Sequence, residues 1–323
     1  MTEEDRTRLR LFALTATSEL GHDIAGALGQ LLAAHEERDF EDGEHKTRPL
    51  DSVRGRDVYV IQSLHGGPVE SANDKLVRLL FFIGALKDAG AARVTVVAPY
   101  LCYARKDRRT KLNDPIITRY VAAMFEAIGV DRVIVAEVHN VAAFENAFRC
   151  PTWHIESAPL LAAHFAPLLR GEQVVAVSPD AGGAKRVEQF RQELEHLTRQ
   201  EVGSAYMEKY RSSGVVSGEL LAGDVHGKVA VIVDDLISTG GTLVRAAKAC
   251  RAAGATKVFT GAAHGLFIDG ATELFATPSI DGITVANTVP PFRVPADVAA
   301  QRLTVIDASD AIARAIAACH DAS

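Results

Sequence analysis

An α/β fold with mainly parallel sheets is predicted for this chain by three observations. Short β-branched runs alternate with amphipathic stretches along nearly the whole sequence. Several of those runs are continuously apolar, as central parallel strands covered on both faces have to be. The alternation also occurs twice at comparable length, on either side of the helix-breaking stretch Phe148-Arg-Cys-Pro-Thr-Trp153. Strands joined through helices give parallel sheets, and the repetition gives two units with a boundary near residue 155. No low-complexity segment separates them, so tight packing is expected.

The first helix begins at Ser18, a residue suited to capping an N-terminus, and carries Leu20, Ile24, Leu28 and Leu31 at helical spacing. Strands follow at Val58–Gln62, Arg93–Ala98 and Arg132–Ala136, with helices over Ser71–Ala89 and Ile116–Ile128 between them. Past the boundary come a helix over Ala158–Leu169, a strand at Gln173–Ser178 and a helix over Gly183–Leu197. A strand at Lys228–Asp234, a helix over Thr242–Ala253 and strands at Lys257–Ala262 and Gly282–Ala286 complete the pattern. The segment Val202–Leu221 departs from it. It alternates, turns at Ser212-Ser-Gly214 and alternates again, which predicts a β-hairpin. A hairpin projecting from an α/β core is suited to close over an active site as a flap.

The bulk composition narrows the function classes. With 323 residues and 48% hydrophobic types, the chain can bury one large or two medium cores. Lys and Arg number 35 against 41 Asp and Glu, and no basic run stands out, so nucleic acid is not expected as a partner. The charged N-terminus lacks the apolar core of a signal peptide. The most apolar stretch, Leu76–Leu86, is interrupted by Arg78 and is too short to span a bilayer, so no membrane partner is expected. Cys102, Cys150, Cys250 and Cys319 lie far apart, which fits free thiols in a reducing cytoplasm better than disulfides or a zinc site.

The most specific motif is Val229-Ala-Val-Ile-Val-Asp-Asp-Leu-Ile-Ser-Thr-Gly-Gly-Thr242. A strand ends in two carboxylates, and a loop rich in Ser, Thr and Gly then opens a helix. Backbone amides at a helix N-terminus bind phosphate, glycines permit close approach, and the hydroxyls of Ser238, Thr239 and Thr242 add donors beside Gly240 and Gly241. Asp234 and Asp235 stand where they can accept from two vicinal sugar hydroxyls. One Asp before a helix is commonly only a cap; the whole string asks for more. It resembles the ribose-5-phosphate loop shared by type I phosphoribosyltransferases and phosphoribosyl pyrophosphate synthetases. No G-x-x-x-x-G-K-[ST] occurs, which excludes a P-loop ATPase, and the dinucleotide fingerprint is missing.

Further segments choose between those two chemistries. Val97-Ala-Pro-Tyr-Leu-Cys-Tyr-Ala-Arg-Lys-Asp-Arg-Arg109 concentrates cations with one Asp after a strand. Val135-Ala-Glu-Val-His139 ends the next strand with a carboxylate and an imidazole two residues apart, which places both on one face. Val177-Ser-Pro-Asp-Ala-Gly-Gly-Ala-Lys-Arg186 ends a strand in Asp180, and Glu208-Lys-Tyr-Arg211 puts two cations on the hairpin. Phe40-Glu-Asp-Gly-Glu44 and Ser52-Val-Arg-Gly55 lie upstream of the strand at Val58. Singly, each has an ordinary structural explanation: solvated cations, a structural histidine, a turn. Taken together and in this order, from about Leu11 to Ala317, they resemble the ribose-phosphate pyrophosphokinases, also called phosphoribosyl pyrophosphate synthetases.

That resemblance implies two phosphoribosyltransferase-like domains, residues 1–155 and 156–307, with a C-terminal helix over 308–320 packing back on the first. It implies transfer of the β,γ-diphosphate of ATP to the 1-hydroxyl of ribose 5-phosphate, with Mg²⁺ as cofactor. Phe40, Asp42, Glu44, Arg105, Lys106, Asp107 and His139 match ATP-contacting positions, the first three reaching a neighbouring subunit's adenine. The homo-oligomer is then a dimer at least, with a hexamer as the family pattern. Lys209 and Arg211 match the flap cations that stabilise the transition state, and His139 stands with them as catalytic. Glu137 and His139 match one metal position and Asp180 a second. Asp234, Asp235, Ser238, Thr239, Gly240, Gly241 and Thr242 match the ribose-5-phosphate loop. The chain departs from the family at Lys106 (usually Gln), Glu137 (usually Asp), Ser238 (usually Asp) and Ala13-Leu14-Thr15 (usually more polar). The alternatives are a non-catalytic regulatory relative, disfavoured because Lys209, Arg211, His139, Asp234 and Asp235 are present, and a phosphoribosyltransferase, which leaves His139 and Arg105 unexplained.

Overall fold

The computed structural model describes the backbone of residues 8–212 and 215–321, and the side chains of these except 208–219. The chain divides into two compact units, one running to Ile155 and taking up the segment from Ala308, the other spanning Glu156–Asp307.

In the first unit the elements are β1 (Leu9–Ala13), α1 (Ser18–Leu28), β2 (His35–Asp39), β3 (His45–Pro49), β4 (Asp57–Ile61), α2 (Ala72–Asp88), β5 (Arg93–Ala98), α3 (Ile117–Ala127), β6 (Arg132–Ala136), α4 (Val141–Ala147) and β7 (Thr152–Ile155). Strands β1, β4, β5, β6 and β7 form a sheet in that order, every pair parallel. Residues 58–61 of β4 are wholly buried, as expected where a parallel sheet is covered on both faces. Phe12, Phe82, Phe125 and Phe144 pack with the sheet's valines into one core. Helix α2 starts at a reciprocal capping box, in which Ser71 accepts from the Asp74 amide and Asp74 from the Ser71 amide.

The second unit holds α5 (Ala158–Leu168), β8 (Val174–Ser178), α6 (Ala184–Thr198), β9 (Val202–Ser212), β10 (Val215–Ala222), β11 (Val229–Ile237), α7 (Gly241–Ala252), β12 (Lys257–Gly265), α8 (Thr272–Ala276), β13 (Gly282–Ala286), α9 (Ala296–Arg302) and β14 (Leu303–Ile306). Its seven strands run β10-β9-β8-β11-β12-β13-β14, all parallel except the antiparallel edge pair β9–β10. The last helix, α10 (Ser309–Asp321), belongs to the first unit, where it packs on α1 and reaches β6 and β7. Arg132 Nη1 donates to Cys319 O at 2.7 Å, and Asp57 takes two hydrogen bonds from Arg93 while lying 2.5 Å from His320 Nδ1.

The fold is thus α/β, with parallel strands in both units. Three local expectations need correction. Thr17, the last residue of a short 3₁₀ turn, rather than Ser18 stands before α1, and its side chain makes no cap. Gly29, at φ 62°, ends that helix, so Leu31 falls outside it and is exposed. The stretch Phe148–Trp153 contains the start of a fifth strand, β7; Pro151 precedes its first residue, where no ladder donor is needed.

Candidate functional site

Strand β11 outlasts its neighbour β8. It pairs with β8 only as far as Ile232, but with β12 to Ile237. The acidic pair therefore lies within the strand and not at its end, where an open sheet presents a crevice beyond the strands' carboxyl ends. Ser238 to Gly240 turn the chain into α7. The amides of Leu266 and Ile268 donate to Ile237 O and Ser238 O and brace the turn. Gly240 sits at φ 80°, and a Cβ there would lie 2.7 Å from Leu274 Cβ, so this position requires glycine on both counts. No side chain caps α7 among the described residues, and half-buried Ser238 and Thr242 and exposed Thr239 lie in and beside the turn that opens it.

The two carboxyls converge on one cation. Arg186 Nη1 lies 3.7 Å from Asp234 Oδ1 and 3.9 Å from Asp235 Oδ1. The Asp235 amide donates to Asp234 Oδ1 at 2.9 Å. Burial, reinforced by the charge of Asp235, pushes the Asp234 carboxyl up to about 8, and Arg186 opposes the shift. The raised carboxyl favours the protonated form in the folded state. The folded state then binds a proton that the unfolded chain has already released. This contribution to stability is present below the usual carboxylate range and is lost as pH rises toward 8. Asp234→Asn, which cannot ionise, should raise the thermal midpoint relative to wild type. The gain should grow from pH 5 to 8 and level off above; melting curves across that range check this, and a gain independent of pH would refute it.

Asp180 opens a 3₁₀ turn before α6, its Oδ1 accepting from Gly182 N at 2.8 Å and Gly183 N at 3.1 Å. One carboxylate oxygen is thus engaged with backbone donors.

In the first unit, β6 ends at Ala136, one residue before the carboxylate. Glu137 adopts φ 49°, unusual for a side-chain-bearing residue, and its amide donates to Ile155 O. The alternation that would place Glu137 and His139 on one face is therefore broken: Glu137 is buried and His139 exposed. Glu137 Oε1 instead lies 3.9 Å from His154 Nε2, on β7. Arg105 is exposed and Asp107 half-buried. Lys106 does not present an unneutralised charge, because its ammonium donates to Asp114 Oδ2 at 2.9 Å. The same oxygen accepts from the amides of Thr110 and Lys111 and from the Thr110 hydroxyl, closing the loop on itself. These donors, Thr110 first and then Lys106, hold the Asp114 carboxyl well below the usual range.

Phe40, Asp42 and Glu44 form the exposed tip of the β2–β3 hairpin. Gly43 makes the turn at φ 90°, Phe40 N donates to Glu44 O at 2.8 Å, and the Arg38 guanidinium lies 5.1 Å from the Phe40 ring centroid. Lys209 and Arg211 lie on β9, but their side chains fall outside the described residues, as do residues 213–214 at the hairpin turn. Among the described residues no three His, Cys, Asp or Glu side chains cluster closely enough to form a metal site, and no helix is long and apolar enough to cross a membrane.

The structure thus brings together the residues of the β11–α7 loop, and separately those of the β2–β3 tip. Sequence reading passed over Arg186, His154 and Asp114, each joined to its partner only by folding or by a loop closure. Arg186 had a visible signal, as the last residue of a glycine-rich strand-to-helix turn.

Comparison with known proteins adds an independent line. A family model described as the N-terminal domain of ribose phosphate pyrophosphokinase matches residues 9–129. A phosphoribosyl transferase domain matches 154–265, and a phosphoribosyl synthetase-associated domain 216–323. The chain is 35% identical to ribose-phosphate pyrophosphokinase 1 of Streptococcus pyogenes serotype M3, over 97% of this chain and 95% of that protein. It is 36% identical, with the same coverage, to the ribose-phosphate pyrophosphokinase of Caldanaerobacter subterraneus subsp. tengcongensis. The crystal structure of phosphoribosylpyrophosphate synthetase from Mycobacterium smegmatis superposes with a TM-score of 0.87 at 32% identity, covering 98% of this chain and all of that one.

Proposed function

The chain belongs to the ribose-phosphate pyrophosphokinase family, and from that premise we propose that it transfers the β,γ-diphosphate of ATP to the 1-hydroxyl of ribose 5-phosphate. The products are phosphoribosyl pyrophosphate and AMP. The observation that carries this reading is the β11–α7 loop, where two carboxyls on one strand lead into a glycine turn and an uncapped helix N-terminus.

The amides opening α7, with Ser238, Thr239 and Thr242, hold the 5-phosphate, and the helix dipole favours its charge. Asp234 and Asp235 take the vicinal hydroxyls. Burial and the charge of Asp235 raise the Asp234 carboxyl while Arg186 opposes the rise, so the pair's charge is set by the groups packed around it. Arg105, Asp107 and His139 hold ATP, and Phe40, Asp42 and Glu44 contact nucleotide in a neighbouring subunit, so the working enzyme is at least a dimer. The 1-hydroxyl oxygen bonds to the β-phosphorus as the bond to the α–β bridging oxygen breaks. AMP leaves with that oxygen, and the hydroxyl proton passes to solvent. Little covalent work falls to the protein; positioning and charge neutralisation dominate. Lys209 and Arg211 on the β9–β10 hairpin close over the β-phosphate and meet the charge developing there.

The donors fit Mg²⁺, which takes one or two carboxylates together with substrate phosphates and keeps several waters. Glu137 is a buried carboxylate beside exposed His139, and Asp180 has only one oxygen engaged by the turn amides. Glu137 and His139 would hold one ion and Asp180 a second; when bound, each would neutralise phosphate oxygens.

Asp235→Ala should raise the KM for ribose 5-phosphate by roughly tenfold or more, the effect of losing a buried hydrogen-bonding carboxylate, and leave the KM for ATP near wild type. Steady-state kinetics in both substrates read this out. Equal shifts in the two constants would place Asp235 elsewhere.

A further inference from the structure

The one charge that interrupts the apolar run Leu76–Leu86 has no part in the reading above. Arg78 lies in the middle of α2 with its side chain 8% exposed. Its Nη2 meets Asp39 Oδ1 at 2.5 Å, its Nη1 lies 3.5 Å from Glu37 Oε2, and its Nε lies 3.0 Å from Glu70 Oε1. Glu37 and Asp39 are both on β2, and Asp39 is the last residue of that strand, next to Phe40. The other oxygen of Glu37 accepts from Thr15 N, Thr15 Oγ1 and His35 Nε2 at 2.6, 2.7 and 2.9 Å. The His45 ring stacks on Phe81 of α2, with centroids 5.5 Å apart. Arg78, Glu70 and Phe81 also line a cleft of about 690 Å³ with Asp39, Gly43 and Glu44 of the hairpin.

We propose that Arg78 is a positioning residue for the nucleotide-contacting tip: its guanidinium fixes the tip-proximal half of β2, Glu37 and Asp39, to α2 and so sets where Phe40, Asp42 and Glu44 stand. The proposal rests on the reading of that tip as a nucleotide contact. Three carboxylates surround one cation. Without it they repel one another, and the hairpin loses the ion pairs that tie the tip end of β2 to α2. A planar fork reaches two carboxylates on β2 at once, whereas a lysine ammonium is a single point charge.

The test compares Arg78→Met, Arg78→Lys and Asp39→Asn with Phe40→Ala at the tip itself, all in the full chain. Asp39 is largely exposed, so its variant keeps the question open should Arg78→Met fail to fold. The readouts are kcat, both KM values and amide hydrogen exchange. Arg78→Met should raise the KM for ATP roughly tenfold to 10²-fold, the range for a displaced positioning element. The KM for ribose 5-phosphate and the kcat should stay within about twofold of wild type. Exchange should quicken selectively over residues 35–49. Arg78→Lys should recover little, and Asp39→Asn should shift the KM for ATP in the same direction by less. If Phe40→Ala raises the KM for ATP but Arg78→Met and Asp39→Asn leave it unchanged, the proposal is overturned while the tip assignment stands. If Phe40→Ala also leaves it unchanged, the tip is not a nucleotide contact and the proposal falls with that reading.

Discussion

Lys209→Ala should lower kcat about 10²–10³-fold, the usual loss when one preorganised donor to a developing charge is removed. The KM for ribose 5-phosphate should change little, because the sugar phosphate is held by the β11–α7 loop and not by the β9–β10 hairpin. Such a split marks an interaction made mainly in the transition state. Glu201→Ala, an exposed change just before β9, should leave turnover near wild type and controls for local disturbance. Turnover of Lys209→Ala close to wild type would remove the hairpin cation from the mechanism.

Gly240→Ala should have the second large effect, this time on binding. At φ 80° a residue with a Cβ is disfavoured by about 1–2 kcal/mol. The new methyl would also stand 2.7 Å from Leu274 Cβ, and relieving such overpacking typically costs another ~1–3 kcal/mol. The cheapest relief is movement of the turn, which shifts the amides meant for the phosphate. The KM for ribose 5-phosphate should rise roughly tenfold to 10²-fold, and the KM for ATP should hold. Gly26→Ala, an alanine on α1 where an added Cβ meets nothing within 4 Å, should leave both constants unchanged. A Gly240→Ala enzyme with normal sugar-phosphate affinity would show that the turn geometry is not what binds phosphate.

The parts of this molecule legible in the sequence are those whose signal is local. Val229–Val233 is continuously apolar because the strand is buried on both faces, and the acids, hydroxyls and glycines that follow occupy consecutive positions. The β2–β3 hairpin gave no such signal. Its strands, His-Glu-Glu-Arg-Asp and His-Lys-Thr-Arg-Pro, are polar but largely half-buried, and hold their place through contacts such as Arg78 and the His45–Phe81 stack, which span some thirty to forty residues of sequence. Glu137 and His139 looked coplanar only on the assumption that β6 continues through them, and the left-handed backbone at Glu137 breaks that alternation. Lys106, where the family usually has Gln, is neutralised by Asp114, eight residues on, a pairing made only when the loop folds back. The edge strands β1, β7 and β14 lack the continuous β-branched apolar run of the central strands: Leu-Arg-Leu-Phe-Ala has no β-branched residue, and Thr-Trp-His-Ile and Leu-Thr-Val-Ile are short and partly polar.

The most direct test of the central claim is the fate of ATP labelled on its β-phosphate, incubated with the protein and Mg²⁺ in the presence or absence of ribose 5-phosphate. Transfer of an intact diphosphate predicts that AMP and labelled phosphoribosyl pyrophosphate form in equal amounts, and only when the sugar phosphate is present. Label recovered as ADP, or AMP formed at the same rate without ribose 5-phosphate, would contradict it.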